Sequence, residues 1–267
     1  MSDVRIIAVA NQKGGVGKTT TVINLGYSLA LADKRVLLVD LDPQGNASTG
    51  LGIHANAREH SIKDVLEGAI PLGEAIVTPG HENLSIICSS TDLTSADIEL
   101  ARDRDRTARL KSVLKKNMST VAGYDIILID CPPSLGLLTI NALIAVDAVL
   151  VPLQCEFYAL EGLSQLILTL RELRQTLGLK LPIEGILLTM IDRRNKLSRE
   201  VEEDVREQLD QLVYRTAIPR NVRLGEAPSH GLPVLAYDPR SSGGLAYKEL
   251  ADEFLERQSN RREESSP

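Results

Sequence analysis

The sequence has no tryptophan and few aromatic residues of any kind, 3% of its 267 positions. A core must therefore be assembled from Leu, Ile, Val and Ala, and stacking of single-stranded bases on aromatic rings is disfavoured as an activity. Cysteine is equally sparse. Cys88, Cys131 and Cys155 are odd in number, widely spaced and without a C-x-x-C pair, which argues against a disulfide frame or a zinc site and for buried thiols in a reducing compartment. No run of about 18 apolar residues occurs, so a membrane-spanning helix is not expected. A charged segment followed by a long apolar one, the mark of a secretory leader, is missing from the first residues, and a cytoplasmic location is expected. There is also no excess of positive charge: the net charge is −6, so nucleic-acid contact would need a local basic patch.

What is present is an ordinary globular composition, 43% hydrophobic and 25% charged. The length suits one α/β domain over residues 1–257, with the polar end, 258–267, read as a disordered tail. Apolar runs read as strands at Arg5 to Ala10, Arg35 to Asp40, Leu84 to Cys88, Ile126 to Asp130, Ala148 to Pro152 and Pro182 to Met190, with a short one at Val213 to Ala217. Helical spacing covers Thr19 to Ala32, Ser61 to Glu67, Asp103 to Val121, Tyr158 to Leu177, Ser198 as a cap to about Leu212, and Ser241 to about Arg257. This alternation predicts an α/β fold, a mostly parallel twisted sheet with helices on both faces.

Between the first strand and the first helix lies Asn11-Gln12-Lys13-Gly14-Gly15-Val16-Gly17-Lys18-Thr19-Thr20. Its glycines let backbone N–H groups converge on phosphate oxygens, and the helix N-terminus adds partial positive charge. Lys18 reaches the β- and γ-phosphates, and Thr19 offers a hydroxyl to Mg²⁺. A bare turn would need neither the lysine nor the threonine. The strand at Ile126 delivers Asp130 to the same sheet edge, where a carboxylate can hold the water shell of Mg²⁺. Together these predict a P-loop NTPase-like sheet acting on ATP with Mg²⁺. Asp40 and Asp42 end the second strand before Pro43, as part of a ligand loop or of a solvated Asp-Pro turn. Pro219 and Asn221 lie in a loop that suits adenine recognition or is a plain surface connection.

The loop departs from G-x-x-x-x-G-K-[ST], because Gln12 stands where the first glycine would be and a second lysine, Lys13, flanks the turn. In this, Lys13 to Thr20 resembles the deviant Walker A of the ParA/MinD family of ATPases. Asp40 to Asn46, Asp130 to Ser134 and Ile218 to Gly231 resemble further motifs of that family, so the likeness runs from Ile6 to about Leu255. The resemblance implies that Lys13 reaches the phosphates of a second subunit in an ATP-bound homodimer. It implies that Asp42 positions the attacking water, that Asp40 helps organise the metal, and that Pro219 and Asn221 line the base. The chain is similar to the short chromosomal ParA (Soj) type, since its first strand begins almost at once. That type is nucleoid-associated: its ATP dimers bind double-stranded DNA without sequence preference, and a ParB-type centromere-binding partner stimulates a weak ATPase and releases them.

The residues bear unevenly on the DNA reading. Between Asp192 and Arg223 the bases Arg193, Arg194, Lys196, Arg220 and Arg223 are nearly balanced by acids such as Glu200, Glu202 and Asp204, so charge alone leaves a solvated face open. Arg193, Arg194 and Lys196 do cluster in one loop, and the resemblance makes these five residues, Arg194 and Arg223 first, the DNA candidates. Three other readings compete. A MinD-like membrane-associated positioning ATPase would carry an amphipathic C-terminal anchor, where this sequence is polar. A metallocluster ATPase like the nitrogenase iron proteins needs a second thiol to match Cys131, and a small-molecule kinase needs a substrate-binding cluster; neither is in evidence.

Overall fold

The structure, a computed structural model, describes residues 4–94, 106–157, 159–178 and 180–265. Its elements in chain order are β1 (Arg5–Val9), α1 (Lys18–Leu31), β2 (Val36–Asp40), α2 (Asn46–Gly50), α3 (Ile62–Glu67), β3 (Ile76–Val77), β4 (Leu84–Ile87), α4 (Arg109–Lys116), α5 (Met118–Val121) and β5 (Ile126–Asp130). They continue with α6 (Leu137–Ala145), β6 (Ala148–Gln154), α7 (Ala159–Leu177), β7 (Ile183–Thr189), α8 (Lys196–Leu209), α9 (Val222–Glu226), α10 (Val234–Tyr237) and α11 (Ser242–Ser265). The strands form a 7-stranded sheet in the order β3-β4-β2-β5-β1-β6-β7. All pairings are parallel except that of β3 with β4.

The continuous apolar runs become the middle of this sheet because both of its faces are covered. Leu37, Val39, Ile127 and Ile129 pack into one layer with Leu66 of α3, Leu114 of α4 and Leu166 of α7. Val36, Leu38, Ile126 and Leu128 alternate to the other layer, against Leu25 and Leu29 of α1 and Phe254 of α11. The register of β2 on β5 runs from Val36 opposite Ile126 to Asp40 opposite Asp130, and Asp130 also lies opposite Val9 of β1. Three strands therefore end together, and two carboxylates emerge side by side at the edge where the phosphate loop begins. Farther along, Gly185 in β7 leaves room for the buried Tyr214 ring: a Cβ at that position would stand 2.3 Å from Tyr214 Cε2.

Several sequence expectations are corrected. Val213 to Ala217 is not a strand; it touches the sheet through an isolated bridge from Val213 to Ile186, and a second bridge joins Pro219 to Ile191. The helix expected from Ser198 starts at Lys196, because the Asn195 side chain accepts the Leu197 N–H and so supplies the cap. That helix stops at Leu209, ahead of Asp210 at φ 37. The expected helix from Asp103 begins outside the described residues and, within them, breaks at Asn117 between α4 and α5. The polar tail is helical to Ser265. Its order has a cause: Gln258 Nε2 donates to Glu184 Oε1 at 2.8 Å, and Arg261 donates to the Glu184 backbone carbonyl at 2.8 Å and pairs with its carboxylate. Arg5 reaches the same buried acid at 3.0 Å. The short antiparallel β3 and the single-turn α2 were not anticipated. Ser61 and Asp64 form a capping box at the start of α3. All three cysteines are free and buried. Among the described residues no helix is long and apolar enough to cross a membrane.

Candidate active site

The loop after β1 begins at Asn11, whose side chain ties the start of the turn to β6. Asn11 Nδ2 donates to the Pro152 carbonyl at 2.7 Å, and Asn11 Oδ1 accepts the Lys13 N–H at 3.1 Å. Gly15 and Gly17 take left-handed conformations, φ 75 and 91, which a side chain would strain. Gly17 is the N-cap of α1 and provides no side-chain cap, so the first amides of the helix are left for an anion. Gly14 is exposed and Val16 buried, while Thr19 and Thr20 form the half-buried first turn. Lys18 is buried and its Nζ donates to the Lys13 carbonyl at 2.9 Å. Burial lowers its pKa, against the opposing pull of Asp130, Cys131 and Asp42. The Lys13 side chain, close to half exposed, pairs with Glu156.

Two acids below the loop are wholly buried, Asp40 and Asp130. Asp40 Oδ2 accepts from the Ser48 N–H at 2.8 Å and the Ser48 hydroxyl at 2.7 Å, whereas its Oδ1 has no partner. Burial pushes its pKa up to about 6, with the Ser48 hydrogen bonds resisting. Both oxygens of Asp130 lack a hydrogen-bond partner. Burial first, and then the neighbouring Asp40, raise its pKa well above the usual range; the Thr19 hydroxyl and the Lys18 ammonium offset this in part. Asp42 sits just beyond, its Oδ1 accepting the Gln44 N–H at 2.9 Å. Arg58 clamps the loop that follows: it donates to the Gly45 carbonyl at 3.1 Å, to Thr49 Oγ1 at 2.7 Å and to the Ser89 carbonyl at 3.0 Å.

Pro219 and Asn221 stand at the end of β7, where Ile191 N–H bonds the Ile218 carbonyl at 3.0 Å and Arg220 N–H bonds the Ile191 carbonyl at 3.0 Å. The Asn221 side chain is partly committed. Its oxygen accepts the Arg223 N–H at 2.8 Å as the cap of α9, and its amide donates to Ser242 at 2.7 Å. A cavity of about 590 Å³ opens here, lined by Pro219, Arg220, Asp192, Arg193, Arg194 and the start of α11. Arg194 lies 92% exposed and chelates Asp192 through two bonds of 3.0 Å. Lys196 pairs with Glu200 at 3.0 Å, and Arg223 with Glu226 at 2.7 Å and Asp238 at 3.3 Å. The structure thus gathers Lys13, Lys18, Thr19, Asp40, Asp42 and Asp130 around one loop. It brings Arg193, Arg194 and Arg220 to one cavity with Pro219, and leaves Arg223 in its own acidic surroundings.

Sequence reasoning passed over Asn11, Ser48, Arg58, Glu156 and Thr189. Thr189 had a legible signal: like Asp40 and Asp130 it ends a parallel strand at the ligand edge, and its Oγ1 donates to the Val16 carbonyl at 2.9 Å. The others bond residues of their own or neighbouring loops in no periodic pattern that would mark them.

Comparison with known proteins agrees with this geometry. A family model described as an AAA domain matches residues 4–183. The chromosome partitioning protein ParA of Caulobacter vibrioides is 51% identical over 258 residues, which are 97% of this chain and 96% of that protein. The sporulation initiation inhibitor protein Soj of Bacillus subtilis is 53% identical over 249 residues, 93% of this chain and 97% of that one. Among solved structures, cobyrinic acid a,c-diamide synthase of Mycobacterium smegmatis with bound ATP analog and magnesium superposes with a TM-score of 0.82 at 37% identity, covering 96% of both chains.

Proposed function

We propose, for a chain that belongs to the ParA/Soj family of chromosome-partitioning ATPases, that it binds ATP with Mg²⁺ at the Lys13 to Thr20 loop and hydrolyses it. The observation that carries this is Asp130: a buried carboxylate with two unpartnered oxygens, beside a helix N-terminus with no side-chain cap. An unsatisfied buried charge is unfavourable unless a ligand completes it. The chemistry of the donors fits Mg²⁺, which takes hard oxygen ligands, keeps several waters and needs only one or two protein groups besides phosphates. Consistent with that, no cluster of 3 or more His, Cys, Asp or Glu side chains that could hold a metal by themselves exists among the described residues. Thr19 through its hydroxyl and Asp130 through water would hold the ion, with Asp40 behind them. Once bound, the ion supplies charge neutralisation to the transferring phosphoryl group.

The chain's own residues supply the remainder. Lys18 exchanges the Lys13 carbonyl for phosphate oxygens, and the Gly14 to Thr20 amides surround them. Asp42 orients the attacking water. Pro219 and Asn221 border the base. The Lys13 side chain is surface-accessible and pairs with Glu156, which supports a role toward a second copy of the chain: a charge delivered when two ATP-bound molecules pair. The ATP-bound pair binds double-stranded DNA through Arg194 and Arg223, aided by Arg193, Lys196 and Arg220, and a ParB-type partner stimulates release. Phosphate release from Mg-ATP by the purified protein tests the reading. Turnover that disappears in Lys18→Ala supports it, and wild-type protein that binds no adenine nucleotide in the presence of magnesium defeats it.

A further inference from the structure

We infer that Thr189, at the end of β7, is a positioning residue for phosphate binding: it orients the Gly17 N–H by holding the Val16 carbonyl. The inference rests on the nucleotide reading above, and on a contact between residues far apart in sequence. Thr189 is buried and its hydroxyl donates to the Val16 carbonyl at 2.9 Å. Its methyl lies under Gly17, where a Cβ would meet Thr189 Cγ2 at 3.8 Å. Val16 is itself buried, and the residues on either side of it are the two glycines with left-handed φ, so the loop would be free to rotate at this peptide were its carbonyl not tied.

The consequence follows from peptide planarity. No peptide bond in the described residues is cis, so the Val16 C=O and the Gly17 N–H belong to one trans plane and point in opposite directions. With the oxygen drawn to Thr189, the hydrogen faces away from β7, the side on which the nucleotide reading places phosphate. A rotated peptide would present a carbonyl oxygen to an anion where a donor is needed. The same strand end also carries Ile191, bonded to Ile218 and Arg220 around Pro219. Between the two stands Met190 at φ 54, a left-handed conformation rare for a side chain of its kind. Such strain persists where surrounding contacts over-determine it. Thr189 and Ile191 flank Met190, one bonded to Val16 and the other to Ile218 and Arg220.

Thr189→Val keeps the branched shape and removes only the donor, whereas Thr189→Ser keeps the donor and removes the methyl. Losing a binding contact made equally in ground and transition states raises KM and leaves kcat in place. We expect KM for ATP, and Kd for ADP measured with a fluorescent analogue, to rise roughly three- to tenfold in Thr189→Val, the scale of one hydrogen bond. Near-wild-type kcat is expected, and wild-type KM in Thr189→Ser. Unchanged KM in Thr189→Val, or a fall in kcat alone, overturns the inference while leaving the ATPase reading standing. A raised KM in Thr189→Ser also overturns it, and does so even if the valine variant fails to fold. Absence of nucleotide binding by the wild-type protein is the distinct failure of the underlying reading.

Discussion

Asp130→Asn is expected to make the ligand-free protein more stable while weakening its response to magnesium. The adjacent acid shows what burial costs a carboxyl at this sheet edge. Asp40, ordinarily titrating at 3.8, is raised to about 6 by burial, which at 1.36 kcal/mol per tenfold amounts to about 3 kcal/mol against the ionised form. A carboxyl raised in this way retains in the fold a proton that the unfolded chain has lost. Its stabilisation is complete below the unfolded value and disappears as pH rises through the folded one, so at neutral pH it counts against the fold. Asp130 is buried just as fully, directly opposite Asp40 in the sheet, and has no hydrogen bond at either oxygen to lose. An asparagine there cannot ionise, and its amide can donate to the unpartnered Asp40 Oδ1. Leaving a buried polar group unsatisfied costs about 1–3 kcal/mol, so the variant should gain on that order at pH 7.5 without metal, or roughly 2–12 °C in melting temperature for a chain of this size. Urea titrations of both proteins at pH 4.5 and pH 7.5 in chelator, repeated with Mg-ATP, measure it. The wild type should lose stability relative to the variant between the two pH values, and should gain far more from Mg-ATP. An asparagine variant no more stable than wild type at pH 7.5 in chelator would refute the claim that Asp130 is an unsatisfied charge awaiting a ligand.

Three other perturbations probe separate parts of the structure. Asp42→Ala should reduce ATP turnover on the order of 100-fold or more while leaving nucleotide binding within a few-fold, as for a residue that orients water; loss of binding instead would move Asp42 to a structural role. Gly185→Ala forces a methyl to within 2.3 Å of the Tyr214 ring and should cost about 2–3 kcal/mol in chemical denaturation, so an unchanged midpoint would mean that β7 and Tyr214 can separate freely. Arg194→Ala or Arg223→Ala should weaken binding to duplex DNA without affecting ATP binding, and should lower the slope of log K against log salt by about one per phosphate contact removed. Because each arginine must first leave an acid of its own chain, an unchanged affinity would return both to the solvated surface.

Features encoded within a few residues of one another were legible in the sequence. The runs that became β2 and β5 announced burial on both faces, and each ends in the acid that the sheet then sets beside the phosphate loop. The glycine loop could be read because its chemistry is contiguous. Features set by distant contacts were not. Val213 to Ala217 has strand-like composition but finds only a single bridge to β7, and the polar stretch after Arg257 is helical because Glu184, far away in β7, needs Gln258 and Arg261. Ser198 looked like a cap, yet Asn195 reached the free amide first. Thr189, Arg58 and Ser48 support the loops they touch through contacts that no local pattern marks.

Pairing of two chains by a triphosphate held in this loop, as proposed above, is measured by sedimentation velocity of Asp42→Ala, chosen so that ATP persists. A dimer is expected with Mg-ATP and a monomer with ADP or when Lys18→Ala is added; a protein that stays monomeric with saturating Mg-ATP would overturn the pairing.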